Sequence, residues 1–214
     1  LGRVEMRLDR VIQAALWDRV LRLPAAFFRR YSVGDLASRA AGLRIASHDD
    51  PDGATRRYYH QLDCRIAEFP LTREAAQVAR ELGDFIVFGG PNVVRGRSHT
   101  HAPNATEMIR AGLCDILTSD YYYPAPLAAA MRLVRDGVLP LPQAWNLVSA
   151  NPARAAGLDD RGVLAPGMAA DLIVVDDSNP ELPRVAAAIV GGRLRYASRK
   201  FAQADAVPRQ AALA

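Results

Sequence analysis

Four short apolar runs, each closing on polar residues, constrain this chain more than any other feature. They cover residues 43–50, 64–70, 85–92 and 114–121. They end in Ser47-His48-Asp49-Asp50, Glu68-Phe69-Pro70, Gly89-Gly90-Pro91-Asn92 and Ser119-Asp120-Tyr121. Runs this short and continuous read as strands buried on both faces. Helical patterns lie between and after them. Thr72 is placed to cap an alanine-rich helix that runs to Leu82 and stops at Gly83; residues 104–111 and 126–136 form two more, followed by Gly112 and Gly137. Strands alternating with helices predict a parallel sheet. A closed (β/α)8 barrel needs eight such units and typically about 250 residues. Four units fit here, so the pattern predicts half a barrel.

The flanks differ in texture. Residues 1–40 read as a helical lead-in, with Val4, Leu8, Val11, Ile12, Ala15 and Leu16 at helical spacing. Residues 41–158 hold the four units and end in a helix over 141–156, with a kink or restart at Asn151-Pro152. Residues 159–198 break into short strands at 162–164, 171–175, 185–190 and 193–196, separated by Pro166-Gly167 and Gly191-Gly192 as turns. Residues 199–214 read as a flexible tail.

Composition excludes some classes. Half the residues are apolar, which is ample for a core and argues against disorder. No apolar stretch approaches the roughly 18 residues of a transmembrane helix, and the N-terminus lacks the apolar core of a signal peptide. The chain opens on Leu1 rather than Met, so its first residue is read as not the natural start. Cys64 and Cys114 form no framework pattern, so a reduced, cytoplasmic setting is expected. The net charge of +4 is carried almost wholly by arginine. Arginine matches phosphate with a bidentate fork, although an arginine bias on its own more often reflects genome composition. Basic residues occur only as short pairs such as Arg29-Arg30 and Arg56-Arg57, so no nucleic acid is expected as a partner.

Residues 149–158, Ser-Ala-Asn-Pro-Ala-Arg-Ala-Ala-Gly-Leu, are followed by 162–176, Gly-Val-Leu-Ala-Pro-Gly-Met-Ala-Ala-Asp-Leu-Ile-Val-Val-Asp. This stretch resembles the junction in the amidohydrolase superfamily where the last barrel helix runs into a β-sandwich. Ser47-His48-Asp49-Asp50, the segment from Gly90 to His99, and Leu117-Thr118-Ser119-Asp120-Tyr121-Tyr122 resemble motifs of its phosphonate-utilisation branch, the PhnM family. The resemblance implies an α/β fold, the C-terminal half of a (β/α)8 TIM barrel with a small β-sandwich segment appended. It also implies hydrolysis of the triphosphate of ribose 1-methylphosphonate 5-triphosphate, and a divalent metal, zinc or manganese. Two superfamily features have no match: the first-strand His-X-His-type pair and the fourth-strand bridging ligand. Glu68 stands where the sixth-strand histidine would be.

His48, Glu68, Asn92 and Asp120 all fall at strand ends, where barrels carry their chemistry. By residue type alone, Asp120 is open between a helix cap and a metal ligand, and His48 between a core histidine and a ligand. The resemblance assigns Asp120 as metal ligand and proton acceptor from the attacking water, and His48 as metal ligand. Glu68 is a further metal or substrate candidate, with a structural ion pair as its alternative. Asp49 and Asp50 are expected either to orient the His48 imidazole or to cap the following helix. The segment from Gly89 to Pro103 reads as a long, Gly-rich loop, with Asn92, Arg95, Ser98 and His99 as substrate-binding residues and Arg97 a weaker candidate. His60 and His101 read as structural. Tyr121, Tyr122 and Tyr123 are open between pocket lining and packing.

The expected substrate is therefore an anionic, phosphorylated small molecule. A half barrel would bare two sheet edges, so a homo-oligomer or an N-terminal half is expected as partner. The competing reading is a non-catalytic remnant that serves as an assembly or binding subunit. A cyclic amide or deaminated base as substrate is weaker, because a neutral substrate has no use for the arginines after Asn92.

Overall fold

The computed structural model describes residues 44–96 and 103–205, and among these the four apolar runs form one parallel sheet in sequence order. Its strands are β1 (Ala46–His48), β2 (Ile66–Glu68), β3 (Phe85–Gly89) and β4 (Ile116–Thr118). The expected helical lead-in over 1–40 lies outside the described residues. Parallel neighbours need long crossovers, and helices supply them. They are α1 (Gly53–Gln61), α2 (Arg73–Glu81), and the pair α3 (Gly90–Arg95) and α4 (Ala105–Arg110). After β4 come α5 (Ala125–Arg135), α6 (Leu141–Asn146) and α7 (Ala150–Ala156).

The helix starts are chemically explicit. Asp52 accepts a hydrogen bond from Thr55 N at 2.7 Å, and Thr72 Oγ1 accepts from Ala75 N at 3.1 Å. Asn104 Oδ1 accepts from Thr106 N and Glu107 N. Each satisfies amide groups that the first helical turn leaves without partners. Two expectations change here. The cap of α1 is Asp52, not Asp49 or Asp50. The expected loop after β3 is helical over its first six residues, because Pro91 sits in the first turn, where a missing N–H costs nothing.

The register sorts the sheet into two faces. Ala67, Ile86, Phe88 and Leu117 lie in one core with Ala76, Ala79, Met108, Ile109, Ala129 and Leu133 from the helices. Side chains alternate along a strand. The other face therefore carries Val87 and Ile116, which pack with Ala155, and the flanking Ile66 and Phe85. His48, Glu68 and Val87 stand level on this second face, because His48 pairs with Glu68 and Glu68 with Val87.

The break near Asn151-Pro152 comes slightly earlier than expected. Helix α6 ends before Leu147 and α7 restarts at Ala150, so Pro152 falls in a first turn rather than at a kink. This junction also covers β4. Leu117 N donates to Leu147 O at 2.9 Å, and Asn151 Nδ2 donates to Asp115 O at 2.7 Å. The expectation of a bare edge on this side is thus corrected. On the other side, among the described residues, β1 pairs only with β2.

A second, antiparallel sheet follows: β5 (Leu172–Asp176), β6 (Arg184–Val190) and β7 (Arg193–Ala197). Gly191 and Gly192, at φ 56° and 73°, make the two-residue turn between the last two strands. Residues 162–164 are not a strand. Gly162 instead closes on α7: its carbonyl accepts from Ser149 Oγ at 2.7 Å, and a Cβ there would lie 2.7 Å from that of Ala153. The expected tail is helical over its first residues, where α8 (Arg199–Asp205) runs and Phe201 N donates to Ser198 Oγ at its start; residues 206–214 lie outside the described residues.

Cys64 and Cys114 are free and buried, and burial raises both thiols, Cys114 to about 12. Among the described residues no helix is long and apolar enough to cross a membrane.

Two measurements probe this architecture. A Cβ at Gly90 would lie 3.1 Å from both Ala125 Cβ and the Thr118 carbonyl oxygen, where the obstacle includes backbone. Gly90→Ala is therefore expected to destabilise by about 1–3 kcal/mol in denaturant unfolding, the usual cost of overpacking; a loss below about 0.5 kcal/mol would show that β4 and α5 yield freely. The Asp52 carboxyl is held below the usual carboxylate range by the Thr55 amide. A depressed folded pKa contributes stability above the unfolded value of about 4 and loses it as pH falls through the folded value. Asp52→Asn keeps an acceptor for Thr55 and should flatten the acid limb of stability between about pH 5 and 2. An unchanged acid limb would remove this cap from the cause.

Candidate active site

Parallel strands end together, so the ends of β1, β2, β3 and β4 form one rim. What leaves the side chains standing there is a repeated backbone device. His48 is followed by Asp49 at φ 59°, and Glu68 by Phe69 at φ 52°. Asp49 N donates to Glu68 O at 2.9 Å, and Phe69 N donates to Val87 O at 3.0 Å. Each left-handed residue turns the chain off the sheet just after the last paired strand residue. Asp120, two residues past β4, takes φ 51°. For residues other than glycine this conformation costs roughly 1–2 kcal/mol each, which aspartate bears better than most.

The rim brings two of the expected metal ligands together. His48 Nε2 lies 4.0 Å from Glu68 Oε2, and His48 Nδ1 lies 3.2 Å from Asp49 Oδ2. The imidazole is 57% exposed, so these contacts leave it open to a ligand. The Phe69 ring meets His48 edge-on, with centroids 5.2 Å apart. It also borders Gly89: a Cβ there would lie 3.7 Å from Phe69 Cε1 and 3.4 Å from Asp120 Oδ2. The Asp120 carboxylate thus stands over the end of β3, at ordinary contact distance. Beside it, the Arg95 guanidinium stacks over Tyr121 at 5.2 Å from the ring centroid, a cation–π contact. Tyr121, Tyr122 and Tyr123 are all exposed.

Other expected site residues are placed differently. Asp50 does not reach His48. It is fully buried behind the sheet, in an ion pair with Arg56 at 3.0 Å, because the left-handed turn at Asp49 sends residues 49 and 50 to opposite sides. Asn92 sits in α3 and not in a loop. Its Oδ1 accepts from Ala105 N at 3.1 Å and its Nδ2 donates to Pro103 O at 3.4 Å, so the amide ties α3 to α4. Arg95 comes from the last turn of α3. Ser98 and His99, with Arg97 and His101, lie outside the described residues. His60 bonds the buried Asp84 at 2.9 Å, a structural contact.

No group of three or more His, Cys, Asp or Glu side chains among the described residues is arranged to hold a metal ion. His48 and Glu68 are a pair, and Asp120 approaches the end of β3 at Gly89, as Phe69 does. A hollow of about 230 Å³ lies elsewhere, on the helical side, bordered by Asn104, Glu107, Arg110, Arg132 and Asp136. Sequence reasoning missed the part played by Phe69 and the buried partners behind His48. Phe69, directly after a strand-end glutamate, carried a usable signal; Arg56 carried none.

Comparison with known proteins now bears on this rim. A model of the amidohydrolase family matches residues 36–196. The alpha-D-ribose 1-methylphosphonate 5-triphosphate diphosphatase of Escherichia coli K12 is 47% identical over 147 residues, which are 68% of this chain and 39% of that protein. An adenine deaminase of Methanothermobacter thermautotrophicus is 34% identical over 126 residues, 55% of this chain and 23% of that one. Among solved structures, A. niger ochratoxinase superimposes with a TM-score of 0.55 at 18% identity, over 77% of this chain and 45% of its own. Molinate hydrolase does so at 0.51 and 16% identity, over 73% and 43%. These two likenesses speak for the fold alone. The chain spans about two fifths of the diphosphatase, 39% of its length.

The backbone device can be tested apart from any activity. Asp49→Gly removes the left-handed penalty of roughly 1–2 kcal/mol but adds unfolded-chain entropy of about 0.5–1 kcal/mol. Urea unfolding should show a change between zero and a gain of about 1.5 kcal/mol, whereas Asp49→Val should lose stability. A glycine variant weakened by more than about 1 kcal/mol would mean that the carboxylate, rather than the turn, matters most there.

Proposed function

The chain belongs to the amidohydrolase family, and on that premise we propose that it forms the C-terminal part of a metal-dependent diphosphatase of phosphonate metabolism. The substrate is ribose 1-methylphosphonate 5-triphosphate, and the products are its 5-phosphate and pyrophosphate. The observation that carries this reading is the rim itself: His48 and Glu68 level on adjacent strands, with Asp120 and the Arg95 guanidinium on the same edge. The 47% identity to the E. coli diphosphatase supports the choice of substrate.

In this reading His48, Glu68 and Asp120 would hold part of the shell of a divalent metal, zinc or manganese. They fit as donors by type, but no closed set of three is formed among the described residues, so the remaining ligands would come from the N-terminal half of the barrel. Such a metal, when bound, supplies a water of lowered pKa and draws charge from phosphate oxygens. Asp49, 3.2 Å from His48 Nδ1, fixes the imidazole tautomer so that Nε2 faces the site. Arg95 offsets charge on the polyphosphate, and Ser98 and His99 hydrogen-bond its oxygens. Asp120 takes the proton of the attacking water. The water oxygen bonds to the phosphorus nearest the ribose, and the phosphoanhydride bond to pyrophosphate breaks, the electron pair leaving with the pyrophosphate.

A second reading, a non-catalytic remnant acting as an assembly or binding subunit, draws support from the lack of a three-ligand group among the described residues. Deamination, the activity named for the Methanothermobacter relative, fits less well, because a neutral base offers no anion to the Arg95 guanidinium at the rim.

One experiment separates these readings. Pyrophosphate release is measured with added zinc or manganese, for this chain alone and for the chain joined to or mixed with an N-terminal barrel half of the family. The expected outcome is no enzymatic turnover alone and turnover on completion. Asp120→Asn should then lower kcat by about 10²–10⁴-fold, the range for a lost general base. Light scattering on the same samples should find the isolated chain as a homodimer or larger. Brisk turnover by the chain alone would show that the absent ligands are not needed, and a completed barrel without turnover would favour the remnant.

A further inference from the structure

We propose that Arg56 is the positioning residue of this site, setting where His48 stands by gripping the side chains of Ser47 and Asp50 on both sides of it. The proposal rests on the part given to His48 under Proposed function, but its geometry stands independently.

Arg56 projects from α1 into the core behind the sheet and is fully buried, as are Asp50 and Asp84 around it. Its Nη1 donates to Ser47 Oγ at 2.6 Å and to Asp50 Oδ2 at 3.0 Å. Ser47 Oγ donates in turn to Asp50 Oδ2 at 2.8 Å. Ser47 and Asp50 bracket the dipeptide His48-Asp49. Since side chains alternate along a strand, Ser47 points to the helix side while His48 points to the open face. One guanidinium thus grips the residue before His48 and the residue after Asp49, and the left-handed turn is held at both ends.

The other arms fix the neighbours. Nη2 donates to the Cys64 carbonyl at 2.6 Å, two residues ahead of β2, and Nε faces Asp84 Oδ2 at 3.4 Å, just ahead of β3. β2 carries Glu68. Arg56 therefore sets β1 against β2, which is the relation that brings His48 to 4.0 Å from Glu68.

Stability alone does not account for the cluster. Asp50 Oδ1 and Arg56 Nε have no hydrogen-bond partner although both are buried. A buried ion pair is often no more stabilising than apolar residues of the same volume; its attested use is to specify one arrangement over others. Here the specified arrangement is that of the rim histidine.

The test uses the 214-residue chain and three variants: Arg56→Met, Arg56→Lys and Ser47→Ala. The readout is the imidazole ¹H–¹⁵N spectrum of His48, assigned by its loss in His48→Gln, with circular dichroism as the check on folding. Arg56→Met and Ser47→Ala are expected to shift or broaden the His48 signals, and Arg56→Lys to restore them in part, because the charge remains but the fork is lost. Ser47→Ala deletes only a hydroxyl, so it carries the test if Arg56→Met does not fold. Unchanged His48 signals in folded Arg56→Met and Ser47→Ala would overturn the proposal. In the completed barrel the same variants should lower kcat about tenfold or more while KM stays within about twofold, the pattern of an interaction realised in the transition state. An equal loss through KM alone would also overturn it. A completed wild-type barrel without turnover, with the His48 shifts present, would sink the diphosphatase reading and leave the clamp standing.

Discussion

The parallel ladder from β1 to β4 is short: three of its four strands run for only three residues. So few backbone bonds cannot hold a sheet in place against conformational entropy. The helices do that, through the alanine-rich faces of α2 and α5, whose small side chains let helix and sheet approach closely. Gly53 brings α1 onto α2, and Gly90 brings α3 onto α5 and β4. A Cβ on Gly53 would fall 2.7 Å from the Val78 side chain, and one on Gly90 would press on Ala125 and the Thr118 carbonyl. Short strands also mean that each strand ends soon after it begins, which places polar side chains close to a well-packed core.

Much of the fold was legible from the pattern of residues. Strands buried on both faces leave unbroken apolar runs, and Thr72 and Asn104 announce helices by side chains that bond their own first turns. The segments that escaped have physical reasons. Helix α1 buries Gly53 and Arg56 and exposes Tyr58, so it offers no apolar stripe to read. Helix α3 opens on Gly-Gly-Pro, which resembles a turn until the proline is seen to occupy a first helical turn. Residues 199–205 form a helix whose neighbour in space is β6, and no local signal reports that.

The site was legible to the level of strand ends and no further. Two adjacent aspartates follow His48, and nothing local says which one faces it. The answer lies in a single backbone angle, φ 59° at Asp49, which sends the first aspartate to the imidazole and the second into the core. Asn92 shows the converse. It stands near the end of β3 as a substrate ligand might, yet two backbone groups at Pro103 and Ala105 claim its amide. Residue type and position name candidates; the partners already within reach decide among them.

The segment joining α6 to α7 lies along β4 and occupies its Leu117 amide, with Asn151 on the Asp115 carbonyl. Such an edge is insulated against indiscriminate strand addition, the route by which open sheets polymerise. It also makes any pairing there a displacement and not a simple docking. An incoming strand would have to wait for those two bonds to part, so its arrival would be governed by local opening of the junction. At high partner concentration the rate of joining would then level off, as in the exchange of one strand for another between hairpins. The guard lies on the β4 edge; among the described residues β1 pairs only with β2, so strand addition is left to that side.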